Sequence, residues 1–352
     1  MVFAVPNFSR KGINRAGAVL IDTTVPEDAF FDAVTLINHW RACHAYPVNT
    51  FQSTLRSRLK KICPEALVAQ RLKRVPSIVT KLERNPGMQL SRMQDIGGLR
   101  AVVKTPQQVD LLRQVYTSDG LTHELVKVDD YISEPKESGY RSLHLIYRYS
   151  NPRAPQYDGL LLELQFRTRL QHAWATAVET IGTFINHALK ASEGPDEWLQ
   201  FFRTASAAFA LAERLPLQAQ FAAMKTDDLL NLCVAQADAL NVANRLSTFA
   251  IATNAITSDT AGGSYHLVTL DPEQRTVTID SFGRNRLDDA NSAYARAEQA
   301  ALQAGDRQVV LVKTNSIESL RRAYPNYFLD TRQFLHALSR VRRAAAYFEE
   351  PK

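Results

Sequence analysis

Cysteine is scarce in this 352-residue chain: Cys43, Cys63 and Cys233 are odd in number and far apart. That spacing excludes a disulfide framework and the paired ligands of a zinc site, and it predicts buried thiols. No run approaches the roughly 18 apolar residues that span a bilayer, and the opening MVFAVPNFSRKG lacks the apolar stretch of a secretory leader. A cytoplasmic chain without membrane partners is expected. Internal repeats and low-complexity tracts are missing too. With 14 Gly, 15 Pro, 45% hydrophobic and 22% charged residues, the composition is that of a globular protein, and the length favours two domains.

The net charge of +6 is unevenly spread. Between Phe51 and Lys104 twelve Lys and Arg face three acids, which leaves the rest of the chain net acidic. A segment this basic serves either as a solvated helix face or as a surface for polyphosphate or a nucleic-acid backbone.

Apolar periodicity and breakers divide the chain. Glu27–His44 and Thr50–Ile62 read as helices, as does Pro76–Arg84, whose proline suits a first turn. Leu99–Val103, Leu143–Tyr149 and Leu160–Phe166 read as strands, with a helix at Pro106–Tyr116 between the first two. A long Ala- and Leu-rich helical stretch runs from Arg169 to about Leu246, broken at Gly194-Pro195. A small α/β unit follows, with strands at Tyr265–Leu270, Thr276–Asp280 and Gln308–Lys313 and helices at Leu287–Ala304 and from Thr331.

The chemistry-bearing residues cluster between Arg71 and His172. Ser77, Lys81 and Arg84 fall four and three apart on one helical face, with Arg71, Lys73 and Arg74 just upstream, so several cations and a helix N-terminus can converge on one anion. Asp95 precedes a strand in Gln94-Asp-Ile-Gly-Gly-Leu-Arg100, where the glycines permit close backbone approach. In Leu160–Arg167 the alternation turns the leucines and Phe166 inward and sets Glu163, Gln165 and Arg167 together on the other face. Two carboxylates among many cations are what a Mg²⁺-nucleotide centre needs. The loop before Leu143 carries Lys136, Tyr140 and Arg141, which suit either an ordinary turn or stacking on a base with phosphate contacts. His144 shares the strand face opposite Leu143 and Leu145, where a lone histidine is more often structural.

The succession Arg71-Leu-Lys-Arg with Ser-Ile and Lys, Asp-Ile-Gly-Gly-Leu-Arg, Asp-Tyr-Ile with Pro-Lys and Gly-Tyr-Arg-Ser-Leu-His, then Glu-Leu-Gln-Phe-Arg-Thr and His-Ala-Trp, resembles the synthetase domain of the RelA/SpoT alarmone family. The resemblance implies an α/β (α+β) fold: a mixed-sheet, nucleotidyltransferase-like domain flanked by helices over 1–190, a helical connector over 191–246, and a small α/β unit over 247–352. It implies that Asp95 and Glu163 coordinate Mg²⁺, with Glu163 also a base for the acceptor hydroxyl. Arg71 and Arg100 would hold the adenine of ATP, and Lys73, Ser77, Lys81 and Arg84 its phosphates. Lys136, Tyr140, Arg141, His144, Gln165 and Arg167 would surround the acceptor. The implied reaction moves the β,γ-pyrophosphate of ATP to a ribose 3′-hydroxyl and releases AMP.

Departures from the family narrow the type. None of the eight histidines is followed by Asp, as the hydrolase domain of long members requires, so product hydrolysis is not expected. After His172-Ala-Trp174 the chain has Ala175-Thr-Ala-Val-Glu179 where alarmone synthetases continue with an acid and a histidine. Arg322-Ala-Tyr-Pro-Asn-Tyr-Phe328 supplies a tyrosine pair, Tyr324 and Tyr327, and with the overall layout is similar to the CapRel group of fused toxin-antitoxin proteins. That likeness implies a C-terminal unit that blocks the ATP site until a phage protein releases it. It also implies the 3′-CCA end of tRNA as acceptor, with Arg56, Arg58, Lys60 and Lys61 guiding the acceptor stem. GDP or GTP is the alternative acceptor.

Overall fold

The computed structural model describes residues 3–118, 121–184, 189, 193–251, 254–258, 265–271, 274, 276–283, 286–304, 307–313 and 331–349. Three helices come first: α1 (Arg10–Leu20), α2 (Glu27–Cys43) and α3 (Ala45–Ile62). Next are β1 (Leu67–Leu72), α4 (Val75–Arg84), β2 (Gly97–Val103), α5 (Pro106–Thr117), β3 (Glu124–Asp130), β4 (Leu143–Arg148) and β5 (Leu161–Thr168). A helical run follows: α6 (Arg169–Phe184), α7 (Asp196–Glu213), the short α8 (Ala219–Ala222), α9 (Thr226–Ala239) and α10 (Val242–Ile251). The chain continues with β6 (Asn254–Ser258), β7 (Tyr265–Asp271), β8 (Thr276–Phe282), α11 (Leu287–Ala304), β9 (Gln308–Lys313) and α12 (Arg332–Glu349).

Among the described residues nine strands form one mixed sheet in the order β3-β4-β5-β2-β1-β9-β7-β8-β6. Within it β2 and β5 run parallel, as do β6 and β8. The second α/β unit therefore continues the first unit's sheet, and the junction is the pairing of Arg71 on β1 with Val312 on β9.

Period-two alternation gives the first half of the sheet two unlike faces. On one face Leu99, Ala101 and Val103 of β2, Leu145 and Tyr147 of β4, and Leu162, Leu164 and Phe166 of β5 pack against Val48, Phe51, Leu55 and Leu59 of α3 and Val109 and Leu112 of α5. Full burial of each such side chain is worth on the order of 1.5–3 kcal/mol, so this layer fixes the strand register. The opposite face is polar and carries the site. Thr105 caps α5 with a capping box: its side chain accepts from the Gln108 amide, and Gln108 reaches back to the cap.

α4 is anchored the same way. Val75, Ile78 and Leu82, spaced three and four apart, are buried against Ile13 and Leu20 of α1 and Ile37 and Trp40 of α2. Packing that stripe leaves Ser77, Lys81 and Arg84 on the remaining faces. The last helix does not stay with the C-terminal strands: Phe334 of α12 packs between Phe201, Phe202 and Phe209 of α7, with ring centroids 5.4 to 6.3 Å apart. Cys43, Cys63 and Cys233 are free and buried, as expected.

Candidate active site

The register of four adjacent strands assembles the site. Arg71, Gly98, Glu163 and Ile146 lie side by side across β1, β2, β5 and β4, and Ala69, Arg100, Gln165 and His144 form the neighbouring row. All eight line one cleft of about 410 Å³. Lys73, Lys81 and Asp95 join from the turn after β1, from α4 and from the segment before β2; Lys127, Asp129, Tyr131, Lys136 and Tyr140 join from β3 and the loop that follows. The two carboxylates that stand 68 positions apart in the sequence thus share one wall-to-wall space, because β2 and β5 are parallel neighbours.

Each carboxylate is held by its own cations. Asp95 accepts from Lys73 Nζ at 2.8 Å and from Lys81 Nζ at 2.9 Å. Burial pushes its carboxyl up, but the two ammonium groups outweigh burial and hold it below the usual carboxylate range. Burial lowers Lys73, and Asp95 only partly offsets this.

Glu163 Oε1 accepts from His144 Nδ1 at 2.8 Å, and Oε2 accepts from Gln165 Nε2 at 2.6 Å. Burial would raise the Glu163 carboxyl, yet the His144 contact and the Gln165 donor hold it far below the usual range. Burial would lower the imidazole, but Tyr140 and Glu163 outweigh it and hold His144 above its ordinary value. Its Nε2 lies 2.8 Å from the Tyr140 hydroxyl, which also accepts from Arg167 Nη2. Arg100 Nε and Arg167 Nη2 both donate to Gln165 Oε1, at 3.4 and 3.1 Å. The result is a closed ring of polar contacts in which Glu163 joins His144 to Gln165.

The acceptor-side residues separate into two groups. Lys136, Tyr140, His144 and Gln165 line the cleft, and the Lys136 ammonium sits 4.4 Å from the Tyr131 ring centroid and 5.5 Å from that of Tyr140. Arg141 and Arg167 lie behind this lining. Arg141 donates to the carbonyls of Ile132 and Pro216 at 3.0 and 2.8 Å and so ties the loop to the end of α7. Arg167 is 1% exposed and supports Tyr140 from beneath.

Among the donor-side residues, Arg71, Lys73, Lys81 and Arg100 line the cleft. Ser77 stands in the first turn of α4 outside the lining, and Arg84 at the far end of α4 donates to Glu193 at 2.6 Å. The four basic residues proposed for tRNA sit on α3, across the sheet from the cleft. There Arg58 donates to the Val115 carbonyl at 3.3 Å and lies 4.4 Å from the Tyr116 ring centroid, Arg56 is half-buried, and Lys60 and Lys61 are exposed. Tyr324 and Tyr327 fall outside the described residues.

Sequence reasoning did not single out Gln94, Lys127, Asp129 or Tyr131 as lining residues. Lys127 and Asp129 alternate along β3 and pair at 2.8 Å, a period-two signal visible in Lys127-Val-Asp129. The two glycines also divide their work. A Cβ on Gly97 would meet Val48 Cγ2 at 2.8 Å and Leu162 Cδ2 at 2.9 Å, so Gly97 serves packing, whereas Gly98 faces the cleft and a Cβ there has no neighbour nearer than 3.8 Å.

Two carboxylates beside clustered Lys and Arg are side chains of the kind that could hold a polyphosphate together with a hard divalent cation. Residues 70–182 match the family model described as a region found in RelA/SpoT proteins. The GTP pyrophosphokinase YjbM of Bacillus subtilis is 35% identical over 116 residues, 32% of this chain and 54% of that protein. The GTP pyrophosphokinase YwaC of the same organism is 32% identical over 130 residues, 33% of this chain and 58% of that protein. The chain thus spans little more than half the length of these two relatives. A crystal structure of the small alarmone synthetase 1 from Bacillus subtilis bound to its product pppGpp aligns over 50% of this chain and 93% of that one, at 26% identity and a TM-score of 0.41. Among the described residues, no helix is long and apolar enough to cross a membrane.

Proposed function

We propose that this chain is an ATP-dependent pyrophosphokinase that moves the β,γ-pyrophosphate of ATP to a ribose 3′-hydroxyl. The observation that carries this reading is the convergence of Asp95, Glu163 and four cations, Arg71, Lys73, Lys81 and Arg100, on one cleft. The acceptor oxygen attacks the β-phosphorus, the bond between that phosphorus and the α–β bridging oxygen breaks, AMP leaves with that oxygen, and the acceptor proton passes to solvent or a nearby base. Such a reaction depends on positioning and charge neutralisation more than on covalent help from the protein.

Asp95 and Glu163 suit Mg²⁺. Their oxygens are hard ligands, and among the described residues no cluster of three or more His, Cys, Asp and Glu gathers to form an all-protein cage. Mg²⁺ commonly takes one or two carboxylates and completes its shell with substrate phosphates and water. When bound it supplies positive charge to the transferred group. Lys73 and Lys81, now on Asp95, are placed to turn toward the triphosphate. Glu163 stays ionised down to low pH, which suits a metal ligand better than a proton acceptor.

Tyr131, Tyr140 and Lys136 form the end of the cleft that suits a purine and its phosphates. The likeness to GTP pyrophosphokinases favours GDP or GTP as acceptor. A second reading takes the 3′-CCA end of tRNA, with translation arrest in antiphage defence and a phage protein acting on the C-terminal unit. Its support is the altered segment Ala175-Thr-Ala-Val-Glu179. Incubating the protein with γ-labelled ATP and either GDP, GTP or tRNA separates the two: label on a guanosine nucleotide supports the first, label on full-length tRNA the second, and label on none of them contradicts both.

A further inference from the structure

The N-terminus of α4 faces a carboxylate from the far end of the chain. Glu298 of α11 is 3% exposed, and its Oε1 accepts from the Val75 amide, the first N–H of α4, at 2.8 Å. The other oxygen accepts from Arg41 Nη1 at 2.8 Å, and Arg41 is 2% exposed. Tyr294, one turn before Glu298 on α11, donates to Oε1 at 3.0 Å and accepts from Arg41 Nη2 at 2.6 Å. Arg41 also donates to Asn38 Oδ1 at 2.6 Å.

This arrangement joins α2, α4 and α11 across more than 200 residues of sequence. A buried carboxylate is tolerated only where cation and donors satisfy it, and here an arginine, a phenol and a helix N-terminus do so together. Arg74, the N-cap of α4, offers no side-chain cap of its own, so the role an Asp or Ser normally fills is supplied from a distance. The same unit grips the neighbouring strand, since Val312 pairs with Arg71. No residue beyond Gln165 lines the cleft among those described, so this contact acts on the site's frame.

We propose that Glu298 is a positioning residue for the donor-phosphate half of the cleft. By capping α4 from the C-terminal unit it fixes the setting of the helix, and with it the reach of Lys81, six residues on and about 9 Å along the axis, toward Asp95 and the triphosphate. This rests on the reading of the cleft as an ATP site. It makes the C-terminal unit part of the catalytic frame: a partner that pulled α11 away from α4 would weaken donor binding and leave the acceptor end in place.

The test uses the full chain and the variants Glu298→Ala and Glu298→Gln, with a non-hydrolysable ATP analogue titrated by calorimetry and amide exchange followed by mass spectrometry. In Glu298→Ala, exchange through α4 is expected to quicken and analogue affinity to fall, each roughly tenfold, with exchange in β2 and affinity for the acceptor unchanged. Glu298→Gln keeps an oxygen for the Val75 amide, loses the charge opposite Arg41, and should fall between; it also carries the test if the alanine variant does not fold. Unchanged exchange in α4, or an equal loss at donor and acceptor, would overturn the proposal. A wild-type chain that binds no ATP analogue would instead sink the ATP reading, and the exchange data would still decide what Glu298 does.

Discussion

Asp95 and Glu163 differ in what surrounds them, and that difference predicts unlike variants. Asp95→Asn frees Lys73 and Lys81 from their shared counter-charge, so ATP binding should be kept or tightened while turnover drops by on the order of 10³. Kinetics that separate KM from kcat check this; a large rise in KM for ATP with kcat preserved would contradict it. Residue by residue, the sequence made these acids legible because each sits in a short patterned segment. It did not disclose their counter-ions: nothing local tells that His144 would bond Glu163, or that Arg141 would turn away from the cleft, since both outcomes depend on strands and helices packed from elsewhere.

His44, between α2 and α3, gives a stability signature at the same scale. Burial pulls its imidazole down from 6.5 to about 4, with the Trp40 carbonyl at 2.9 Å from Nδ1 partly offsetting. Between those two values the unfolded chain holds a proton that the folded one lacks, so stability falls as pH drops through that window, by up to about 3 kcal/mol. Urea melts of the wild type at pH 7 and pH 4.5 should differ by more than those of His44→Gln; equal losses would refute the assignment.

At the scale of elements, the two adjacent glycines of β2 give opposed expectations. Gly97→Ala forces a methyl group against Val48, Leu162 and the Cβ of His44 at 2.8 to 3.0 Å and should cost about 1–3 kcal/mol. Gly98→Ala should leave the denaturation midpoint almost unchanged and weaken ATP binding, because its methyl group enters the cleft. Midpoints of equal size for both variants would contradict this division. Helices and strands with a plain apolar stripe, such as Pro106–Tyr116 and Leu160–Phe166, were readable in advance. β3 was not, for it is an edge strand that leaves Val126 and Val128 38% and 41% exposed and so inverts the usual pattern. β1 was hidden because its residues read first as part of a basic segment, and its partners come from β2 and β9, far along the chain.

For the whole molecule, the sequence suggested two α/β units, and the structure joins them in one nine-stranded sheet with α12 returning to the central helices. Breakers and composition mark where units begin; they carry no information on which strand edge meets which. The continuous sheet brings β9 against β1 and Glu298 against α4, whose Lys81 lines the cleft.

The central claim is that this cleft transfers two phosphates as one group, and the nucleotide left behind tests it most directly. Phosphorus NMR of the protein with ATP, Mg²⁺ and its acceptor should reveal AMP and a 3′-pyrophosphorylated acceptor accumulating in equal amounts, both lost in Asp95→Asn. ADP appearing as the nucleotide product, or AMP formed with free pyrophosphate and no modified acceptor, would contradict it.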